Sequence, residues 1–218
     1  MFAYVIDDLP IFPLELVLVP GEPLPLHIFE PRYQEMVTRC IDNGEPFAMV
    51  LSDHLGLRDI ACTAEISEVL EQFPDGRCNI IIIGQRVVRL VEVIDKHAYR
   101  SARAQFLNDD PEEAPEEAQQ AALAAYVALA AELPGTAPEA PEPGPGLSYT
   151  LVARVDLGLD VKQSLLEDRD ESHRIEVVSE LLTGVRRGLV LTRIIQERAR
   201  RNGRVRTPEE LATELGLD

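Results

Sequence analysis

Prolines constrain this chain more than any other feature. From Leu9 to Val37 it reads LPIFPLELVLVPGEPLPLHIFEPRYQEMV, with Pro10, Pro13, Pro20, Pro23, Pro25 and Pro31 set among apolar residues. Each proline fixes φ and removes an N–H, so the stretch excludes one long helix and any central strand. The spacing predicts short strands instead: Ile11–Phe12, Leu14–Val19 closed by Pro20-Gly21, and Pro23–Phe29. Glu30-Pro31 then opens a helix with proline at its first position. Tyr33, Met36, Val37 and Cys40 make one apolar stripe on it, and Gly44 is its stop.

The middle of the chain reads as strands. Phe47–Leu51 is short and apolar, and Ala61–Phe73 alternates loosely. Pro74-Asp75-Gly76 is a hairpin turn, Cys78–Ile83 returns, Gly84-Gln85-Arg86 makes a turn or bulge, and Val87–Ile94 continues. The β-branched run Ile80–Ile83 predicts burial on both faces. The rest is helical: Ala118–Leu133, Leu147–Val155, Val161–Leu166, and a long helix from Ser172 or Glu171 to about Arg201. Gly184 and Gly188 interrupt the last one, which predicts either close packing there or a kink. The acidic break Asn108–Glu117 and the Pro/Gly-rich loop at 134–146 separate these parts.

Three stretches, in order, carry a family resemblance. Leu9–Val37 is similar to the opening of the N-terminal, substrate-engaging domain of Lon protease. Ala61–Leu107, ACTAEISEVLEQFPDGRCNIIIIGQRVVRLVEVIDKHAYRSARAQFL, resembles that family's block of strand, Pro-Asp-Gly hairpin, apolar strand and Gly-Gln-Arg turn. Lys162–Leu182 resembles its Lys-Gln-x-Leu-Leu-Glu segment. One departure is Ala61-Cys62-Thr63, where the family often has Gly-Thr; it bears on a turn and not on chemistry. The resemblance implies an α+β protein: a β-rich, bent, PUA-like pseudo-barrel with one packed helix, then a C-terminal α-helical domain. The lobes are expected at residues 1–108 and 109–202, with a short tail at 203–218 outside the resemblance.

The chemistry is that of a binder. No G-x-x-x-x-G-K-[ST] motif occurs, and the only close Ser/Lys pair, Lys162 and Ser164, points in different directions on a helix. His27, His54, His97 and His173 fall in no metal pattern, so neither metal nor cofactor is expected. His27 reads as a hydrogen-bonded, partly buried histidine, and Asp7-Asp8 as solvated charge in a flexible stretch. The resemblance implies recognition of unfolded or apolar polypeptide segments, a role as adaptor or modulator of proteolysis, and self-association. Candidate contact residues are Phe29, Tyr33, Met36 and Phe73, with Phe73 expected to be the most exposed and core packing weighed against all four.

The net charge of −17 argues against a nucleic-acid or acidic-membrane surface, and no apolar run reaches the ~20 residues of a membrane span. The counter-reading is nucleic-acid binding by the arginines of Arg186–Arg206. It lacks interleaved aromatics, and salt bridges to the chain's own carboxylates are expected instead. Cys40, Cys62 and Cys78 are odd in number and widely spaced, as expected of a reduced, cytoplasmic protein.

Overall fold

The computed structural model describes residues 4–135 and 139–202; the expected tail helix Leu211–Leu215 lies outside the described residues. Five strands close a ring. In order they are β1 (Val5–Leu14), β7 (Ser101–Phe106), β6 (Cys78–Ile94), β5 (Ile60–Gln72) and β3 (Phe47–Asp53), each antiparallel to the next. A parallel pairing of β1 with β3 completes it. Every ring strand contributes to a small inner core, including Ile11, Val50, Ala61, Val88 and Ala102; small side chains suit so narrow a barrel. This is the bent pseudo-barrel the sequence led us to expect. The two-residue β4 (Gly56–Leu57) extends β3, and β2 (Pro23–Ile28) pairs with the first part of β6.

The prolines fit where no ladder bond is asked of them. Contrary to expectation, β1 runs unbroken through Pro10 and Pro13 and has a partner on each side. The reason is that it changes partner along its length. Ile11 donates its N–H to the Arg100 carbonyl at 2.9 Å, on the β7 side. Pro13, two residues on, would also point that way, but β7 begins only at Ser101, which pairs with Pro10. Pro10 would point towards β3, whose pairing starts only at Ile11. Leu16–Val19, by contrast, is not a strand; it is an irregular segment with Val17, Leu18 and Val19 buried. Glu22 shapes it, taking the Val19 N–H on its carboxylate (3.1 Å) and giving its own N–H to the Val19 carbonyl (3.1 Å).

β5 resolves a puzzle of periodicity. Glu65, Glu68 and Glu71 recur every three residues, as do Ile66 and Val69, which is no strand rhythm. The register accounts for it: Glu65, Ile66, Glu68, Val69 and Glu71 lie opposite Ile83, Ile82, Ile81, Ile80 and Asn79, with shifts at Ser67 and Leu70. Two bulges each absorb one residue, so the glutamates share one face and Ile66 and Val69 the other. On that second face Ile80 and Ile82 are fully buried, while Ile81 and Ile83 are only half-buried. Burial of Ile80–Ile83 on both faces is therefore not what the fold provides.

Five helices complete the described residues: α1 (Pro31–Asn43), α2 (Glu116–Ala130), α3 (Leu147–Val152), α4 (Leu159–Glu167) and α5 (Glu171–Asn202). Gly44 stops α1 in the left-handed conformation (φ 64°), its N–H on the Cys40 carbonyl. A second, larger core runs without a break from the outer barrel face, with Phe12, Met36 and Ile80, into the helices, with Leu123, Leu151, Ile175 and Leu182. Lys162 on α4 clasps Glu22 at 2.7 Å and 2.9 Å, pinning the helical part to the proline-rich segment.

Asp8 is not the solvated charge expected. Its carboxylate meets Arg39 of α1 at 3.2 Å and His97 at 3.0 Å. Partial burial works against ionisation, but Ser101, His97 and Arg39 outweigh it and hold the carboxyl at about 2. Because the folded value lies below the ordinary 3.8, the stabilisation is complete above that value and is lost as pH falls through about 2. Asp8→Asn is expected to flatten the acid limb of a stability–pH curve across that window, read by thermal melts. An acid limb unchanged from the parent protein would assign the loss to another carboxylate.

Candidate functional site

The hairpin joining β5 to β6 and the end of β2 together form a tip. Pro74-Asp75-Gly76 turns the chain, with Gly76 at φ 90° and the Asp75 carboxylate accepting the Arg77 N–H at 3.2 Å. Register then sets His27 of β2 beside Asn79 of β6 and Asn79 beside Glu71 of β5. Their side chains link in a row: His27 Nδ1 to Asn79 Oδ1 at 2.6 Å, and Asn79 Nδ2 donating to Glu71 Oε2 at 3.1 Å. Above this row lie the rings. Phe29 stacks on His27 with centroids 6.0 Å apart, and Phe73 meets His27 edge-on at 6.3 Å. The Arg77 guanidinium covers Phe73 at 5.2 Å, and Gln34 of α1 donates to the Phe29 carbonyl at 3.0 Å.

The four candidate residues therefore separate. Phe29 is 59% exposed and Phe73 is half-buried, so the order of exposure is the reverse of that expected. Tyr33 (7% exposed) and Met36 (0%) belong to the core stripe of α1, with Tyr33 ring-packed on Phe12 at 4.3 Å. The barrel covers the face of α1 that carries them, although Tyr33 still lines a pocket of about 420 Å³ with Arg32, His97 and Arg100. His27 is exposed and not partly buried, though its hydrogen bond is as expected. Its place in the cluster, with that of Arg77 and Asn79, was missed in the sequence. The only signal was the strand pairing that brings residues 27, 73 and 79 together.

Beside the tip, the end of α1 and β5 enclose a cleft of about 270 Å³ lined by Ile41, Glu45, Ile66 and Val69 among others. Exposed Ile41, Val69 and Leu70 extend the apolar surface there. Nucleophilic chemistry has no footing in the cysteines, since burial pushes the Cys40 and Cys62 thiols up to about 12 and raises Cys78 as well. Lys162, in the Ser/Lys pair, is bound to Glu22. Among the described residues, no group of three or more His, Cys, Asp and Glu is placed to hold a metal, and no helix is long and apolar enough to cross a membrane. Arg186 and Arg193 reach back to Glu132 at the end of α2, at 3.4 Å and 2.8 Å, as expected of internal salt bridges.

A family model for the ATP-dependent protease La (LON) substrate-binding domain matches residues 8–184. The chain belongs to this family. Lon protease of Escherichia coli (strain K12) is 22% identical over 191 residues, covering 80% of this chain but 24% of that protein. Lon protease 2 of Myxococcus xanthus is 25% identical over 201 residues, 84% of this chain and 24% of the relative. The chain thus spans about a quarter of these relatives' length, and the match falls on the Lon substrate-binding domain. The Lon N-terminal domain protein from Xanthomonas campestris shares the fold, with a TM-score of 0.62, 22% identity, and coverage of 79% of this chain and 97% of that one. The N-terminal domain of Mycobacterium avium complex Lon protease does so at 0.58 and 14% identity, over 81% and 98%. In this Lon-type domain the aromatic tip and the α1–β5 cleft are two exposed apolar features of the barrel; Tyr4, Leu55, Val91 and Val93 are exposed elsewhere on it.

Proposed function

We propose that this chain is a non-catalytic, two-lobed module, with lobes at residues 1–108 and 109–202, that binds unfolded or apolar polypeptide segments. Its role is that of an adaptor or modulator of proteolysis. Phe29 carries the reading: a large ring 59% exposed just past the end of β2, beside Phe73 and rimmed by Asn79, Glu71 and Gln34. An aromatic anchor surrounded by polar groups that exclude water is the usual anatomy of a binding hot spot. His27, Arg77 and Gln34 contact these two residues, so part of their freedom is already lost before a segment settles on them. Family membership supports a substrate-interacting role, and the three free, buried cysteines suit a reducing, cytoplasmic setting. Nucleic acid is the weaker reading, since Arg186 and Arg193 are engaged with Glu132.

The test is an anisotropy titration with a fluorescently labelled, permanently unfolded polypeptide at low and high salt. Saturable binding that survives high salt is expected, and Phe29→Ser combined with Phe73→Ser should weaken it by about tenfold or more. Absence of binding in both salts would remove the peptide-binding reading.

A further inference from the structure

The pocket beside the start of α1 differs in charge from the clefts around it. Arg32 and Tyr33 of α1, Ser52 near the end of β3, and His97 and Arg100 in the β6–β7 connection line about 420 Å³. That is room for a small organic ligand. In a chain of net charge −17, two other clefts are acid-lined: Glu45, Glu65 and Glu68 line the α1–β5 cleft, and Asp109, Asp110 and Glu112 line the one before α2. Here two arginines and a histidine meet a single carboxylate, Asp95.

Tyr33 is 7% exposed, its ring packed on Phe12 and covered by the Arg32 guanidinium at 4.7 Å. A tyrosine buried this deeply usually gives its hydroxyl a partner. Among the described residues the Tyr33 hydroxyl has none, yet it is not one of the polar atoms sealed unpaired in the core. It opens on the pocket instead. The arginines also have donors to spare. Arg100 stands 3.9 Å from Asp95, beyond hydrogen-bond reach. Arg32 turns Nε and Nη2 to Glu30, at 2.9 Å and 2.6 Å, which leaves Nη1. The connection carrying His97 and Arg100 is pinned. Tyr99 is buried, stacks on His97 with centroids 4.9 Å apart and accepts from Arg39 at 3.1 Å, while the Arg100 carbonyl accepts the Ile11 N–H at 2.9 Å.

We infer that this pocket binds a phosphate group. Guanidinium nitrogens only donate, and charge-assisted bonds from arginine to phosphate oxygens are among the strong ones. The donors come from three separate elements, so they surround a tetrahedral oxyanion, which offers acceptors on every side, better than a flat carboxylate. The buried Tyr33 hydroxyl gains the partner it lacks. Asp95 opposes an anion only weakly, because its side chain is 81% exposed and water screens it. The same oxygens arrive on a phosphate monoester or as the free ion. Neither Phe29 nor Phe73 lines the pocket, and the site stands whether or not those residues bind peptide.

Amide-resolved NMR titration of the isotope-labelled full chain, at constant ionic strength, tests this with inorganic phosphate, phenyl phosphate, acetate and chloride. Saturable shifts at Arg32, Tyr33, Ser52 and the 97–100 segment are expected with both phosphates and with neither acetate nor chloride. Arg32→Gln and Arg100→Gln replace side chains 51% and 61% exposed, so each should melt like the parent and bind phosphate about tenfold more weakly. Tyr33→Phe keeps the ring in the core and should weaken binding about threefold, while Asp95→Asn should tighten it. Tighter binding of phenyl phosphate assigns the site to a monoester, and tighter binding of inorganic phosphate to the free ion. Shifts that do not saturate, that acetate or chloride reproduces, or that survive undiminished in both arginine variants would each overturn the proposal.

Discussion

Arg174→Ala is expected to cost about 3–5 kcal/mol of folding stability, the range for removing one partner of a buried ion pair. Arg174 is 0% exposed, on the first turns of α5. All three guanidinium nitrogens donate hydrogen bonds. Nε donates to Ser148 Oγ at 3.1 Å, Nη1 to the Asp168 carbonyl at 2.7 Å, and Nη2 to the carboxylates of Asp109 and Glu171. Tyr149 lies under it, ring centroid 4.3 Å from Cζ. Truncation would leave the Glu171 carboxylate buried with only Ser148 to satisfy it, through the backbone N–H at 3.0 Å and the hydroxyl at 2.6 Å. It would also leave Asp109, in the connection between β7 and α2, with one guanidinium partner in place of two. Urea denaturation followed by circular dichroism measures the loss. A cost under about 1 kcal/mol would mean that water or Arg169, which also reaches Asp109 at 3.1 Å, takes over the site.

Gly84→Val ranks next, with an expected cost of about 3 kcal/mol or failure to fold. Gly84 is where β6 exchanges β2 for β7 as its neighbour, opposite a register shift in β5. The irregular Leu16–Val19 segment lies directly against it. A Cβ there would sit 3.2 Å from Leu18 Cγ and 2.9 Å from the Val19 carbonyl carbon, with the carbonyl oxygen closer still. The obstacle is backbone, which cannot swing aside, and that backbone is itself held. Gly21 donates to the Gly84 carbonyl at 2.8 Å, and Gly84 donates to Glu22 at 3.0 Å. Relieving the clash would break both bonds and pull at the Glu22–Lys162 clasp. Overpacking of a filled core costs 1–3 kcal/mol, and a clash with fixed backbone lies at the upper end. A Gly84→Val protein that melts like its parent would show that the segment can move aside.

The sequence already held most of the architecture. Local rules were enough for the Pro31 helix start, the Gly44 stop, the Pro-Asp-Gly hairpin and the long α5, because each depends on neighbouring residues alone. The Lon-like order of segments supplied the barrel. Local reading failed wherever a residue's environment came from a distant strand. Proline at positions 10 and 13 argued against a central strand, yet only the sides on which β7 and β3 lie decide whether a missing N–H matters. The three-residue rhythm of β5 concealed two bulges. Close packing or a kink was expected at Gly184 and Gly188, and among the described residues nothing lies within 4 Å of a Cβ added there; backbone crowds Gly84 instead, from a segment more than sixty residues earlier.

The site divides in the same way. That Phe29 and Phe73 are aromatic and flank a turn is written in the chain. That they converge on His27, while Tyr33 and Met36 turn inward, was decided by the pairing of β2 with β6 and the seating of α1 on the barrel. Sequence by itself determines what short-range forces control: backbone dihedrals, caps, turns and apolar periodicity. Tertiary structure decides burial, and with it which charges pair, which rings stay exposed and which glycines are indispensable, because desolvation depends on everything that packs around a residue.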